Sequence, residues 1–220
     1  MMHHFEQVQA GRWDAEASRA ALLRAGRAAF ARHGLAGARV AAITSSAGVS
    51  QQLLYHHFGS KAGLYQAVLE SMYAEIRAFE QALSLGDMPP DQALVQLAGF
   101  SFDYLAQTPD FIALLNDENG HGGLHVRRSP GLDALHSPLI RLIAETLEAG
   151  VASGCVRPGI DPVQFYISIA ALGYFYFSNV RTLSTIFGRE LAADGPVAAR
   201  RQHVIEFVAA AIQPVRGRVP

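Results

Sequence analysis

The chain has 220 residues, of which 50% are hydrophobic and 17% are charged, and its formal net charge at pH 7 is −1. This composition excludes a disordered chain and is typical of a globular protein with one or two domains. The only cysteine, Cys155, excludes an intrachain disulfide and a cysteine-cluster metal site, and it fits a reducing, cytoplasmic environment. The N-terminal run MMHHFEQVQAGRW lacks the apolar core of a signal peptide.

Basic and acidic residues are unevenly distributed along the chain. Residues 1–65 carry seven basic and three acidic side chains, whereas residues 66–220 carry eleven basic and sixteen acidic ones. Seventeen of the basic residues are arginine, and the only lysine is Lys61. A positive N-terminal segment on a negative remainder is what a DNA-binding head on a solvated body shows. Chance drift in surface charge would give the same pattern.

Helical signals follow one another along the chain, without the alternating runs or the hairpin turns of strands. Residues 16–33 repeat apolar side chains at helical spacing, and Gly34 ends that helix. Ser60 caps a long helix, and Asp161 followed by Pro162 is a strong start signal for another. The sequence therefore predicts an all-α fold of about nine helices. After the first helix, the predicted positions are near 40–47, 50–58, 60–86, 91–107, 111–116, 132–153, 162–180 and 196–213.

The segment at residues 162–180 has no charged side chain and is therefore a candidate for a membrane-spanning helix. Its nineteen residues approach the roughly 20 that cross a bilayer. However, Gln164, Ser168 and Asn179 interrupt it, and the sequence has no second candidate. Because a helix that is apolar nearly all round is more often buried in protein, we predict no membrane partner.

Residues 40–58 have the pattern of two short helices joined by a tight turn. Gly48 can adopt the left-handed conformation that ends a helix, and Ser50 can cap the next helix. Apolar side chains recur at the spacing that places them inside: Val40, Ile43, Ala47, Val49, Leu54 and Phe58. This pattern is typical of a helix-turn-helix whose second helix reads DNA, although a plain helical hairpin with solvated polar residues also fits it.

The outward side of the second helix carries groups that suit a DNA duplex. A glutamine amide can donate and accept hydrogen bonds at the edge of adenine, while hydroxyl groups reach phosphates. The helix that starts at Ser60 offers backbone amides to a phosphate, and Lys61 adds a point charge. We predict base contacts from Gln51, Gln52 and His56, and phosphate contacts from Ser50, Tyr55 and Lys61.

The residues in and around this helix-turn-helix, over about fifty positions, have a spacing that resembles the TetR family of bacterial transcriptional regulators. The matching positions are Gly37, Val40, Ile43, Ala47-Gly48-Val49-Ser50, Leu54-Tyr55-His56-His57-Phe58, Ser60-Lys61 and Leu64-Tyr65. The resemblance implies a homodimer with a three-helix DNA-binding head and a larger helical body that binds a small-molecule effector. It implies a DNA-binding domain at residues 1–60 and a ligand-binding and dimerisation domain at residues 61–220. Ligand binding in such proteins usually weakens their affinity for DNA.

The sequence departs from the family pattern at four positions of this run. Arg39 stands where Ser or Thr usually caps a helix, Thr44 where a small Ala is common, Gln51 where Lys is frequent, and Ala62 where an acid often follows the lysine. These departures bear on which operator is read, and Arg39 offers a phosphate contact in place of the cap. The complete predicted DNA-binding set is Arg39, Thr44, Ser50, Gln51, Gln52, Tyr55, His56 and Lys61.

The C-terminal body carries the predicted dimer and ligand sites. The dimer interface is expected from the helix at 162–180 and from the last helix, with intrachain core as the alternative. Polar groups among apolar ones are typical of a ligand pocket, and the candidates are Tyr104, Phe111, Asn116, Glu118, Asn119 and His121. His121 and His125 would form a metal pair only within a helix, and since glycines separate them we expect a loop without metal.

The sequence lacks the motifs of common enzyme classes. It has no Gly-x-Ser-x-Gly, no phosphate-binding Gly-Lys-Ser/Thr and no Gly-x-Gly-x-x-Gly, so we predict no enzymatic activity and no cofactor. Three hypotheses remain. The first, which we predict, is a repressor released from a palindromic double-stranded DNA operator by a small molecule. The second is a ligand-independent or activating regulator of the same fold, and the third is a helical interaction module.

Overall fold

The computed structural model describes the backbone of residues 2–214 and the side chains of residues 15–129 and 138–214. Over these residues it has eleven α-helices, one 3₁₀ turn at Leu85–Asp87 and no strand, which confirms the all-α prediction. The helices are α1 (Met2–Gly37), α2 (Val40–Ala47), α3 (Gln51–Phe58), α4 (Lys61–Ala82), α5 (Pro90–Gln107), α6 (Pro109–Gly120), α7 (Leu124–Arg127), α8 (Pro130–Ala152), α9 (Pro162–Ser178), α10 (Val180–Phe187) and α11 (Asp194–Ile212).

The predicted number of helices was too small by two, because α7 and α10 were missed in the part of the chain that the structure describes. Helix α7 spans only four residues, too few for a helical repeat to show in the sequence. Helix α10 spans only eight residues and follows α9 after a single residue, so the sequence did not separate it from the long apolar run before it. Asn179, with φ −112° and ψ 8°, separates the two helices.

The chain divides into two compact units. The head unit contains the residues up to Met72 together with Ala113–Pro130, and the body unit contains Tyr73–Ile112 and the residues from Gly131 onward. Helix α4 therefore contributes to both units, and most of α6 belongs with the DNA-binding motif rather than with α5, the helix that precedes it.

The head unit is built on aromatic and aliphatic side chains from α1, α3 and α4. The Phe30 and Tyr65 rings meet edge to face with their centroids 5.1 Å apart, and Leu22, Leu54 and Leu64 are fully buried. Each such side chain contributes about 1.5–3 kcal/mol by leaving water. Helical geometry in α1 breaks at the predicted residue, since Gly34 has φ 65° and ψ 175°.

The body unit is organised around α5, which packs against α9 and α11. Helix α9 begins as predicted, with the Asp161 carboxylate accepting from the Gln164 amide at 2.8 Å. One face of α9 joins the core, where Gly173 allows a close approach because an added Cβ would lie 3.0 Å from Leu105 Cδ1. Among the described residues, no helix is long and apolar enough to cross a membrane.

Candidate nucleic-acid interface

The turn between α2 and α3 has the geometry that the sequence predicts. Gly48 adopts a left-handed conformation with φ 69° and ψ 27°. The amides of Gly48 and Val49 donate to Ser45 and Thr44 carbonyls at 3.2 and 3.1 Å, which closes α2. Ser50 then caps α3, since its hydroxyl accepts from the Leu53 amide at 3.3 Å. The two helices are thus joined by backbone and cap hydrogen bonds that depend on local sequence alone.

Helix α3 is anchored from one side. Leu54 is fully buried, and the half-buried Phe58 ring lies 5.5 Å below the guanidinium of Arg19 in α1. His57 Nε2 is 2.9 Å from the Ser18 hydroxyl of α1. Burial lowers the pKa of His57, and the nearby charges of His56 and Arg19 lower it further. His57 therefore belongs to the side of α3 that faces α1.

The opposite side of α3 is open to solvent. All four residues predicted to face DNA from within this helix are exposed: Gln51, Gln52, Tyr55 and His56. Leu53 is also partly exposed there, and the prediction did not include it. An amide-rich, hydroxyl-bearing helix face of this kind can donate and accept hydrogen bonds with base edges and phosphates.

The two predicted DNA contacts from the region of α2 differ in exposure. Arg39 is exposed at the N-cap position and makes no side-chain cap hydrogen bond. Thr44, in contrast, is 3% exposed, and its hydroxyl donates to the Val40 carbonyl at 3.1 Å. Its burial against the helix removes Thr44 from the set that we propose for DNA, whereas Arg39 stays in it.

Lys61 has partners within the protein. Its ammonium donates to the Ala38 carbonyl at 2.9 Å and to the Ala36 carbonyl at 3.3 Å, beyond the bend in α1. An ammonium has three N–H donors, so one is left for a phosphate. Lysine near a helix C-terminus satisfies carbonyls that have no partner within the helix. The predicted phosphate contact is therefore combined with a structural role that the sequence did not reveal.

Two further positions of the head were missed. Gly63 lies so close to α3 that an added Cβ would collide with the Phe58 carbonyl oxygen. From α6, Asp117 Oδ2 accepts from the Leu35 amide at 2.9 Å. An added Cβ on Gly34 would lie 2.5 Å from Asp117 Oδ1. The role of Gly63 could have been suspected from its place in the first turn of α4. The role of Asp117 could not, because this residue is distant in sequence from Leu35.

The predicted ligand residues of α6 and the following turn lie in the head unit. Asn116, Asn119 and His121 are exposed. Glu118 is buried, and its carboxylate accepts from the His125 amide at 2.7 Å and contacts His125 Nδ1 at 2.8 Å. His121 Nδ1 is 2.7 Å from the Asp117 carbonyl oxygen. Glu118 therefore holds α7 in place. The described residues contain no cluster of three potential metal ligands.

The remaining two predicted ligand residues lie in the body unit. The Tyr104 and Phe111 rings are buried and meet edge to face, with centroids 5.7 Å apart. A groove of about 570 Å³ lies beside α5 and α11, and another of about 340 Å³ lies beside α9 and α11. Neither of these two grooves is lined by any of the six predicted ligand residues, whose role in binding stays a prediction.

Two family models match the chain. The model of bacterial regulatory proteins of the tetR family matches residues 22–68. The model of the tetracyclin repressor-like C-terminal domain matches residues 90–208, which is more than half of the chain. Among curated proteins, the HTH-type transcriptional repressor NicS of Pseudomonas putida is 38% identical over 178 residues, covering 81% of this chain and 84% of NicS.

Solved structures have the same fold. The transcriptional regulator SCO4942 from Streptomyces coelicolor has a TM-score of 0.67 at 27% identity, over 89% of this chain and 98% of that one. FadR from Bacillus subtilis has a TM-score of 0.67 at 15% identity, over 88% and 98% of the two chains, a likeness of fold alone. The curated relatives are transcriptional regulators, a class that is not enzymatic. The family models and the similarity to NicS together establish that this chain belongs to the TetR family of bacterial DNA-binding transcriptional regulators.

Proposed function

We propose that this protein is a homodimeric repressor that holds a palindromic operator through α3 and releases it when a small molecule binds the body. The observation that carries the proposal is the polar, exposed side of α3 on a helix whose other side is anchored by Leu54 and Phe58. The similarity to NicS, itself a transcriptional repressor, supports repression over activation.

On the DNA, α3 enters the major groove, where Gln51, Gln52 and His56 read base edges. Tyr55 and the free N–H of Lys61 contact phosphates. Arg39 and Ser50 add phosphate contacts from the start of each helix of the motif. This assignment combines a helix anchored at its back with a polar front, so that rigid positioning and base readout come from opposite sides of the same short helix.

The proposed dimer forms through an exposed apolar stripe on α9. Val163, Ile167, Ala171 and Phe175 follow one another at every fourth residue, and the three larger side chains are 46%, 51% and 59% exposed. Phe207 of α11 is 54% exposed and supports the same interface. Contiguous apolar surface of this kind marks an interaction site. Three other apolar residues of α11, the last helix and part of the predicted interface, belong instead to the chain's own core: Val204, Val208 and Ile212.

Regulation follows from the spacing of the two heads in the dimer. Their recognition helices enter successive major grooves only when they are about 34–36 Å apart, or a multiple of that distance. A ligand can change this spacing only if it binds one arrangement better than the other. Helix α4 contributes residues to both units and is the element that we propose transmits the change. FadR, which shares this fold, was crystallised with stearoyl-CoA.

The proposal is tested by footprinting the purified protein on the DNA that flanks its own gene. We expect a protected inverted repeat, and light scattering should give a dimer at micromolar concentration. Gln52→Ala should change which bases are preferred, whereas Gln96→Ala, an exposed glutamine of α5, should not. A monomer would contradict the dimer, and a uniform loss of affinity across sequences in Gln52→Ala would contradict base reading.

A further inference from the structure

Two buried charged residues lie on the second half of α4. Arg77 is 4% exposed and Glu80 is 3% exposed, although charged side chains are rarely buried without full pairing. They follow Ile76 on the inward side of the helix, in the body unit. No role in DNA binding or in the proposed dimer stripe accounts for them.

The guanidinium of Arg77 is incompletely partnered. Nη2 donates to the Tyr166 hydroxyl at 3.0 Å, and the group lies 5.5 Å from the centre of the Tyr166 ring. Nη1 is 2.5 Å from Glu80 Oε2, an ionic contact without the alignment of a hydrogen bond. Nε has no hydrogen-bond acceptor among the described residues. Such donors are normally satisfied in proteins, since leaving them buried and unpaired is costly.

A small cavity borders the same groups. Its volume is about 40 Å³, and its wall combines the polar side chains of Arg77, Glu80 and Gln81 with the apolar side chains of Pro138, Leu139 and Leu142. This is room for a few water molecules or for a small organic anion. The lining residues from α4 are thus polar, and those from α8 are aliphatic.

Glu80 is the neighbouring counter-ion of Arg77, and burial disfavours its charged form. Burial raises the pKa of Glu80 to about 7, even though the charge of Arg77 acts in the opposite direction. Burial thus favours the protonated form of Glu80, which is a hydrogen-bond donor. A guanidinium fork beside a carboxylic acid proton presents several donors to one small cavity. A carboxylate matches this fork geometry better than a spherical anion does.

We propose that Arg77 and Glu80 form a binding site for a small organic monocarboxylate, whose carboxylate meets Arg77 and whose short alkyl group lies against Leu139 and Leu142. The proposal rests on the proposed function in one respect, namely that occupation of this site is the signal that releases DNA. The bound carboxylate accepts from the Arg77 donors that have no acceptor among the described residues, and it fills the cavity. Binding to the folded state raises its stability in proportion to the logarithm of ligand concentration.

The experiment measures thermal unfolding of the full-length protein in sodium acetate and sodium propionate. Sodium chloride at the same ionic strength is the spherical-anion arm, and acetamide and propionamide are the neutral arms. We expect a rise in Tm with the two carboxylates only, reaching about 5–10 °C at a hundred times the dissociation constant. Arg77→Met should abolish the rise. Leu142→Phe, which fills the cavity and leaves the charges in place, should abolish it too.

Arg201→Met is the matched control, because Arg201 forms its bidentate pair with Asp103 elsewhere in the body unit and should leave the response unchanged. An equal response to the amides or to chloride, or a full response in both Arg77→Met and Leu142→Phe, overturns the carboxylate site. DNA binding is measured in the same samples. A protein that binds operator but shows no carboxylate response refutes the site alone, whereas a carboxylate response without any operator binding refutes the proposed function alone.

Discussion

Replacement of Lys61 by methionine should separate the structural role of this side chain from its role on DNA. The change removes the ammonium and keeps an unbranched apolar stem. The two carbonyls that accept from Nζ, those of Ala38 and Ala36, would lose their donor. A hydrogen bond from a charged donor contributes about 1.5–3 kcal/mol when it is buried. Because Lys61 is half-exposed, we expect a loss of about 1–2 kcal/mol in total.

For a chain of this length, that loss should lower Tm by roughly 2–8 °C. If the third N–H of Lys61 contacts a phosphate, the slope of log affinity against log salt should also fall by about 0.9. Thermal unfolding and fluorescence anisotropy of an operator duplex at several salt concentrations measure the two effects independently. Arg39→Met is the matched control, since Arg39 is exposed and does not cap α2. It should lower the salt slope and leave Tm unchanged.

An unchanged Tm would show that the two carbonyl contacts of Lys61 contribute nothing to stability, and it would refute the structural role of this side chain. An unchanged salt slope together with a lower Tm would remove the phosphate contact and leave Lys61 as a purely structural residue. A lower slope together with a lower Tm is the result that we expect.

Three further predictions concern separate parts of the molecule. Gly63→Ala places a methyl group against the Phe58 carbonyl and should reduce operator affinity at least tenfold, whereas Gly86→Ala, which meets open space, should not. Ile167→Asp should give a monomer by light scattering; a persistent dimer would contradict the α9 interface. Burial raises the pKa of Glu80 in the folded state to about 7 from 4.5. The free energy of unfolding should therefore fall by up to about 3 kcal/mol as the pH rises from 4.5 through 7, because the folded state disfavours the ionised carboxyl. Urea unfolding at pH 5 and pH 8 measures this decline, which the Glu80→Gln variant should lack. The same decline in the variant and in the unchanged protein would refute the raised pKa.

Local interactions made much of the head predictable from sequence. Ser50, Ser60 and Asp161 each cap a helix through an amide three residues later, and such a bond needs no information from elsewhere in the chain. The left-handed Gly48 is similarly determined by its own turn. Anchoring by Leu54 follows from helical spacing, which predicts the inward side of α3 without knowledge of its neighbours.

Residues whose partners are distant in sequence could not be assigned in this way. Asp117 reaches the amide of Leu35, 82 positions away, and nothing in either segment announces the pair. Thr44, a departure from the family pattern, is predicted to contact DNA, but the direction in which it faces depends on how α2 packs, and it is buried. The buried pair of Arg77 and Glu80 was partly predictable, since Glu80 continues the i+4 series of the apolar residues Met72 and Ile76. A charged residue at the next inward position of an apolar stripe is a signal that sequence alone carries.

The composition of helix α9 is compatible with several surroundings, and the structure shows which side of the helix lies in the core. A nearly uncharged helix can face lipid, its own core or another protein chain. The core takes one side, through Phe165, Ile169 and Tyr176. The opposite side keeps the exposed apolar stripe of α9, with the polar Gln164 and Ser168 exposed beside it. An apolar centre with a polar rim is the composition of a protein interface rather than of a lipid-facing surface. The same helix therefore serves the core with one side and, in our proposal, joins two copies of the chain with the other.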